Sequence, residues 1–296
     1  MKVLILGAGG FIGGHVYTAL SARGYSVVPA DIVDTGLPGS LIFEVDHPDF
    51  ASLFASVGAD ICVNCTGAAS VPVSFAQPLR DYTLNTLRVA EMLEAIRIAS
   101  PDMRFIHLSS AAVYGNPVES PITEMAERKP LSPYGWHKHF AEQLCEEYTH
   151  LFGLKTLSLR IFSAYGPGLR KQLFWDIYNK AKASERIEFF GTGEEARDFI
   201  YVEDIAACIE CLIQNVEFDG RAINIASGIA TTVREAVTGL ISALDWKREI
   251  VFSGSERVGD PTFWRADVSF LDRLGFKPSY SIQSGLTAVA RWLKDL

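Results

Sequence analysis

A glycine-rich segment directly after the first apolar run constrains the fold more than any other feature of the sequence. The run KVLIL is followed by Gly7, Gly10 and Gly13, and a helical segment begins among these glycines. The first glycine permits a tight turn, the second lets the backbone approach a diphosphate, and the third lets the helix pack against the strand. The helix start at Phe11 and Ile12 adds free N–H groups and partial positive charge. The segment therefore predicts a βαβ unit that binds a dinucleotide cofactor.

The first half of the chain alternates short apolar runs with amphipathic helical segments. Runs without polar alternation are typical of parallel strands that are buried on both faces. Strands that alternate with helices predict a doubly wound parallel sheet. The predicted strands are KVLIL, SVVPA, LIFEV, ICVNC, RFIHLSS and TLSLRIF, and the longest predicted helices span 79–99 and 133–152.

After Phe162 the alternation loosens, and the segments YGPG, LFWDIYNKAKA, IEFF, FIYVEDIAACIECLI and RAINIAS follow. We predict an α/β fold with a doubly wound parallel-sheet Rossmann domain over residues 1–163, to which the chain returns around 198–226. A smaller, interleaved C-terminal α/β substrate-binding domain is expected over 164–197 and 227–296.

Composition and charge narrow the function classes. The chain has 296 residues, of which 48% are hydrophobic and 21% charged, an ordinary globular balance. The net charge is −8 and no Lys/Arg cluster stands out, which argues against nucleic acid and anionic membranes as partners. Glycines interrupt the opening run MKVLILGAGGFIGGHV, and no small-residue cleavage site follows it, so it does not fit a secretory signal. We expect a cytoplasmic protein.

The cysteines form two Cys-x-x-Cys pairs that do not suit a metal. Cys62 and Cys65 lie in a predicted strand, where residues three apart point to opposite faces. Cys208 and Cys211 lie in an apolar helical segment. We interpret these side chains as small hydrophobic groups in a reducing compartment and predict no metal site.

Asp31 follows the second predicted strand and bears on the choice of cofactor. A carboxylate at this place accepts hydrogen bonds from ribose hydroxyls and repels a 2′-phosphate. No Arg or Lys follows in the segment DIVDTG. The sequence therefore favours NAD over NADP.

A serine, a tyrosine and a lysine form a candidate catalytic set. Ser110 ends the predicted strand RFIHLSS, while Tyr134 and Lys138 are four apart and share a helix face. A nearby ammonium favours the phenolate, which makes the tyrosine a usable base for a substrate hydroxyl. A second Tyr-x-x-x-Lys pair, Tyr178 and Lys182, has no upstream strand that ends in serines. We interpret that pair as a helix surface.

With these motifs in order, the sequence resembles the extended short-chain dehydrogenases/reductases, particularly the NAD-dependent nucleotide-sugar epimerases and dehydratases that are similar to UDP-galactose 4-epimerase. The resemblance covers nearly the whole chain. Besides the glycine segment, it rests on SSAAVYG, YGWHK, LRIFSAYGPG, GTGEEARDFIYVEDIA, INIASG, RVGDP and ADVSFLDRLGFKP.

The resemblance implies a role for each matching residue. Asp46 would contact adenine, Asn85 would support the third helical region, and Ser110, Tyr134 and Lys138 would be catalytic. The remaining residues would line the cofactor after the fourth strand or bind the substrate, with the arginines on its diphosphate: Thr66, Gly67, Ala68, Ser163, Arg197, Arg257 and Asp260.

Some residues of this sequence differ from the family pattern, and these differences help to distinguish the branches of the family. The dehydratase branch has an Asp-Glu pair after the catalytic Ser or Thr, whereas Ala111 and Ala112 stand here, so dehydration is disfavoured. Ser163 stands where epimerases usually have a longer Asn, and the second part of the chain is shorter than in typical epimerases.

The leading functional hypothesis is an NAD-dependent nucleotide-sugar 4-epimerase that oxidises C4 and returns the hydride. An NAD(P)H-dependent reductase of 4-keto-6-deoxysugar nucleotides stays open as the alternative, and a non-catalytic nucleotide sensor is a third reading. The resemblance also suggests a homodimer through the helices at 79–99 and 133–152.

Overall fold

Seven parallel strands form the central sheet in a computed structural model that describes residues 1–255 and 261–296. The strands of the described chain are β1 Lys2–Leu6, β2 Ser26–Asp31, β3 Leu41–Ile42, β4 Ile61–Asn64, β5 Arg104–Ser110, β6 Thr156–Ile161, β7 Ser163–Tyr165, β8 Arg186–Phe189, β9 Ala196–Tyr201, β10 Ala222–Ile225, β11 Ala230–Thr232 and β12 Glu249–Phe252. The strands of the central sheet lie in the order β10-β6-β5-β4-β1-β2-β3.

Helices cover both faces of this sheet, which confirms the predicted doubly wound α/β fold. The helices of the described chain are α1 Phe11–Ala22, α2 Phe50–Val57, α3 Val71–Ala76, α4 Pro78–Tyr82, α5 Arg88–Ala99, α6 Pro133–Phe152, α7 Gln172–Ala183, α8 Val202–Asn215, α9 Val233–Ala243, α10 Ser269–Arg273 and α11 Ile282–Lys294. Between α4 and α5 the backbone forms a π-helical turn over Thr83–Leu87. No helix in residues 1–255 and 261–296 has the length and apolarity needed to cross a membrane.

The first strand shows why the sheet is buried on both sides. Val3 and Ile5 pack into the core under α1 and α8, whereas Leu4 and Leu6 pack into the core under α2, α5 and α6. All four side chains are 0% exposed. A parallel strand between two helical layers therefore needs apolar residues at every position.

The strand order changes direction between β1 and β4. From β1 the chain runs outward through β2 and β3, then returns to β4 on the other side of β1. Such a switch opens a crevice at the carboxyl ends of the strands. The glycine segment after β1 and the loop after β4 both lie there.

Two smaller sheets lie beyond the main one. Strand β9 pairs in parallel with β7 and antiparallel with β11, and β8 pairs in parallel with β12. Helices α7, α9 and α11 contribute to their separate core. The chain returns to the main sheet at β10, which pairs with β6. The predicted domain boundaries stay a prediction.

Three local predictions are wrong. The strand expected over LIFEV ends at Ile42, because the chain then leaves the sheet. The helix expected over 79–99 is divided by the π-helical turn. Tyr178 is no surface residue, since it is 6% exposed and its ring stacks on Trp246 at 5.8 Å.

Candidate functional site

Steric constraints around the glycine segment match its predicted role. Gly7 has φ +78°, and a Cβ there would lie 2.9 Å from the Cys65 carbonyl carbon. A Cβ on Gly13 would lie 2.1 Å from the Gly7 carbonyl oxygen, so α1 approaches β1 only because this residue is glycine. Gly10 is the N-cap of α1 and supplies no side-chain cap. The first turn, with Phe11, therefore keeps N–H groups that suit a diphosphate.

Asp31 lies at the carboxyl end of β2, next to this segment. Its Oδ2 accepts a hydrogen bond from the Gly9 N–H at 2.8 Å, and its Oδ1 accepts one from the Ile32 N–H at 2.7 Å. These bonds fix the carboxylate beside the glycine turn, and each oxygen keeps acceptor capacity for a ribose hydroxyl. Asp46 is exposed in the loop after β3, which lines a shallow pocket together with Ile32.

The loop after β4 faces the glycine segment across the switch point. Thr66 donates its N–H to Asn64 Oδ1 at 3.0 Å, and the Asn85 amide donates to the Ala68 carbonyl at 3.1 Å. Gly67 has φ +115°, and a Cβ there would lie 2.5 Å from Asn85 Oδ1 and 3.4 Å from Lys138 Nζ. Among the described residues, the buried Asn85 Oδ1 has no hydrogen-bond partner. The loop is thus a cradle with an acceptor available for a bound group.

Helix α6 carries the candidate tyrosine in its first turn. Ser132 caps the helix by accepting the Gly135 N–H at 3.2 Å, and Pro133 is pre-set for the first helical position. A Cβ on Gly135 would lie 2.6 Å from the Ala112 carbonyl oxygen, so this glycine lets α6 approach the loop after β5. The approach brings the Tyr134 hydroxyl close to the Ser110 hydroxyl.

Lys138 lies one turn further along α6 and is 4% exposed. Its ammonium donates to the Leu108 carbonyl at 2.8 Å. Burial lowers the pKa of Lys138 to about 8, while the Asp81 carboxylate acts in the opposite sense.

The surroundings of Tyr134 act on its pKa in opposite directions. Burial raises the pKa of Tyr134 above its ordinary value of 10, the Ser110 hydrogen bond lowers it, and Asp81 raises it further. Desolvation outweighs the favourable contact with Ser110, so the net shift of the pKa is upward.

The predicted substrate residues lie on neighbouring strands or outside the described chain. Ser163 begins β7 and pairs with Phe199 of β9. Arg197, also on β9, is half-buried, and its guanidinium carbon lies 5.9 Å from the Trp264 ring centroid. Arg257 and Asp260 lie outside the described residues.

The sequence reasoning missed Asp198, a buried carboxylate beside Arg197. It accepts hydrogen bonds from the Ser227 N–H at 2.8 Å, the Gly228 N–H at 3.0 Å and the Ala266 N–H at 3.1 Å. These bonds tie β9 to two other segments and so fix the strand that carries Arg197. The sequence carries a signal for this residue, because a charged side chain next to the apolar run FIY indicates a buried polar contact.

The reasoning also missed a buried ion pair behind α6. Arg160 binds Glu142 through Nη2–Oε2 at 2.8 Å and Nε–Oε1 at 3.0 Å. Glu142 also accepts the Ser109 hydroxyl at 2.6 Å, and Arg160 donates to the Tyr114 hydroxyl at 2.7 Å. The pair thus connects α6 with the strand that ends in Ser110.

Comparison with known proteins identifies the family of this chain. Residues 3–226 match the model of the NAD-dependent epimerase/dehydratase family. UDP-glucuronate 4-epimerase 3 from Arabidopsis thaliana is 30% identical over 98% of this chain and 76% of its own length. A putative UDP-glucose 4-epimerase from Methanocaldococcus jannaschii is 25% identical over 99% of this chain and 98% of its own.

Solved structures share the whole fold. The UDP-glucuronic acid 4-epimerase from Bacillus cereus, in complex with UDP-glucuronic acid and NAD, aligns with a TM-score of 0.89 and 26% identity, covering 100% of this chain and 99% of the other. The UDP-glucose 4-epimerase from Thermotoga maritima, with UDP-glucose, aligns with a TM-score of 0.90, 26% identity and the same coverage. The predicted family and enzyme class are confirmed: the chain belongs to the NAD-dependent epimerase/dehydratase family.

Proposed function

We propose that this protein is an NAD-dependent nucleotide-sugar 4-epimerase. The observation that carries the proposal is the meeting of Ser110 and Tyr134 in the same crevice where Lys138 lies against Gly67. One end of the crevice thus holds the candidate cofactor-binding loops, and the other holds an acid/base group for a sugar hydroxyl.

The residues at the switch point fit NAD. The first turn of α1, which no side chain caps, suits the diphosphate, and Asp31 suits the ribose of the adenosine half. Gly67 lets the loop after β4 approach Asn85 and Lys138, where a side chain would clash, and Asn85 offers a buried acceptor. When bound there, NAD would accept a hydride from C4 of the sugar and return it.

The side chains of the chain itself handle the proton. Ser110 can hold the C4 oxygen while Tyr134 removes its proton and later returns it. Because burial raises the pKa of Tyr134, its deprotonation needs added positive charge in the crevice, which Lys138 and an oxidised nicotinamide can supply. Ala111 and Ala112 provide no carboxylic acid for the loss of water, so a hydroxyl at C6 or elsewhere would be retained.

Arg197 supports a diphosphate-linked substrate, together with the predicted Arg257. A guanidinium presents paired donors that match phosphate oxygens. The named relatives act on UDP-sugars, so we propose a UDP-sugar as the first substrate class to test.

The test is turnover of a UDP-hexose panel, including uronic acids, with product separation by chromatography. We expect conversion to the 4-epimer without net consumption of NAD, and a loss of about 10³-fold in kcat for Tyr134→Phe. Tyr178→Phe, at the second Tyr-x-x-x-Lys pair, is the matched control and should keep activity.

Two other results would indicate a different function. Oxidation of NADH that depends on a 4-keto sugar nucleotide, with no epimerisation of plain hexoses, would identify a reductase. Tyr134→Phe with full biological activity and no turnover by the native chain would identify a sensor.

We further propose that the enzyme is a homodimer. Large apolar side chains on α4 and α6 face solvent in the single chain: Leu79 is 76% exposed, Trp136 45%, Tyr82 39% and Phe140 37%. Exposed apolar side chains grouped on neighbouring helices are typical of an interface.

A further inference from the structure

Arg88, the first residue of α5, is not an ordinary surface arginine. Only 12% of its side chain is exposed, and Nη1 forms an ion pair with Glu91 Oε2 at 2.6 Å. Its Nη2 donates to two consecutive carbonyls, those of Val45 at 2.8 Å and Asp46 at 2.6 Å. The guanidinium therefore holds the backbone of the loop after β3.

This loop forms the outer wall of the pocket beyond the end of β2. Residues 43–46, with Ile32 and Ile42, line the pocket. Strand β3 ends at Ile42, so the sheet supports the loop only at its beginning, where the Phe43 N–H donates to the Asp31 carbonyl at 3.0 Å. At Val45 and Asp46 the support comes from Arg88.

A second side chain, one helical turn before Arg88, holds the loop on the opposite side of the crevice. Asn85 donates to the Ala68 carbonyl, in the loop after β4, and lies three residues before Arg88. One helical turn therefore fixes the backbone of both loops that flank the crevice at the switch point.

We propose that Arg88 is a positioning residue for the adenosine half of NAD, holding the loop that carries Asp46 as the wall of the adenine side. This inference rests on the cofactor site of the proposed function. The geometry needs the planar guanidinium of an arginine. One of its nitrogens donates to two carbonyls while another pairs with Glu91, and a single ammonium cannot reproduce this set of bonds. Charge-assisted bonds of this kind are among the strong ones in proteins.

The experiment compares the binding of AMP, nicotinamide mononucleotide and NAD by calorimetry in the full-length protein, freed of cofactor. For Arg88→Ala we expect AMP and NAD to bind about tenfold more weakly, and nicotinamide mononucleotide to bind as in the native chain. Arg97→Ala is the matched control. Arg97 lies on the same helix and pairs with Glu94 at 2.7 Å, but 40% of its side chain is exposed.

Two further variants separate loop anchoring from helix stability. Glu91→Gln removes the ion pair but keeps both carbonyl bonds, so AMP affinity should stay within about twofold of the native value. Arg88→Lys keeps the charge but not the fork and should weaken AMP binding. It serves in place of Arg88→Ala if that variant does not fold.

Native-like AMP affinity in both Arg88 variants would overturn the inference. Equal losses for AMP and nicotinamide mononucleotide would also overturn it, because they would indicate general destabilisation. If the native chain itself bound neither AMP nor NAD, the cofactor site and the proposed function would fail together, whereas failure confined to the Arg88 variants leaves the proposed function standing.

Discussion

Replacing Glu142 with Gln should destabilise the protein strongly, although Glu142 touches no predicted ligand. The carboxylate is 6% exposed and accepts two bonds from Arg160, whose side chain is 2% exposed. A neutral amide of the same shape leaves the guanidinium buried without its counter-charge, which is costly.

The pKa of Glu142 gives the magnitude and the pH window. Burial alone would raise this pKa, but the hydrogen bonds and the charge of Arg160, together with the hydrogen bond from Ser109, bring it from its ordinary value of 4.5 to about 2. That difference corresponds to about 3 kcal/mol of folding free energy, in line with the cost of breaking a buried pair. Because the folded-state pKa is depressed, this stability is present above pH 4.5 and is lost as the pH falls toward 2.

The measurement is the free energy of unfolding in urea for the native protein and Glu142→Gln, repeated from neutral to acidic pH. We expect a loss of about 3 kcal/mol at neutral pH that shrinks below pH 4.5. Arg160→Met should cost less in the Glu142→Gln background than alone, because the two side chains are coupled. A loss below about 1 kcal/mol, or one that does not change with pH, would refute this reasoning.

Gly13→Ala should abolish NAD retention and lower the melting temperature, because the new Cβ would lie 2.1 Å from the Gly7 carbonyl oxygen. Gly14→Ala is the control and should be tolerated, because the atom nearest to its Cβ is 3.4 Å away. Calorimetry of both variants checks this, and a normal Gly13→Ala protein would contradict it. Burial puts the pKa of Lys138 at about 8. The positive charge of an oxidised nicotinamide disfavours the Lys138 ammonium, so NAD⁺ should bind better when Lys138 is neutral. The affinity for NAD⁺ relative to NADH should therefore rise with pH up to about 8. Parallel titrations of both cofactors test this; Lys138→Met should remove the pH dependence, and a flat native profile would rule it out. Leu79→Glu should shift the protein from dimer to monomer in sedimentation velocity, and an unchanged dimer would place the interface elsewhere.

Sequence patterns predicted the elements best where burial is uniform. The strand KVLIL and the glycine segment were readable because a parallel strand between two helical layers tolerates only apolar residues, and a strand-to-helix turn this tight requires Gly7 and Gly13. The shared helix face of Tyr134 and Lys138 was readable because four residues span about one helical turn, while their catalytic role stays a prediction.

Long-range contacts escaped the same reasoning. The π-helical turn and the anchoring of a loop by Arg88 depend on which segments lie side by side, and no local pattern encodes that. The direction in which burial shifts the pKa of Tyr134 was not readable for a similar reason, because desolvation depends on everything packed around the hydroxyl. Charged residues inside apolar runs, such as Asp198 and Arg160, were the usable signals for buried polar networks.

The placement of β10 has a consequence for biosynthesis. This strand closes one side of the main sheet by pairing with β6, yet β7, α7, β8, β9 and α8 are made between them. While the ribosome adds those segments, β6 remains an open edge with unpaired backbone groups. The nascent chain therefore cannot complete its first sheet until Ile225 has emerged. Truncations that end between Ile161 and Ala222 should aggregate rather than yield a folded N-terminal half.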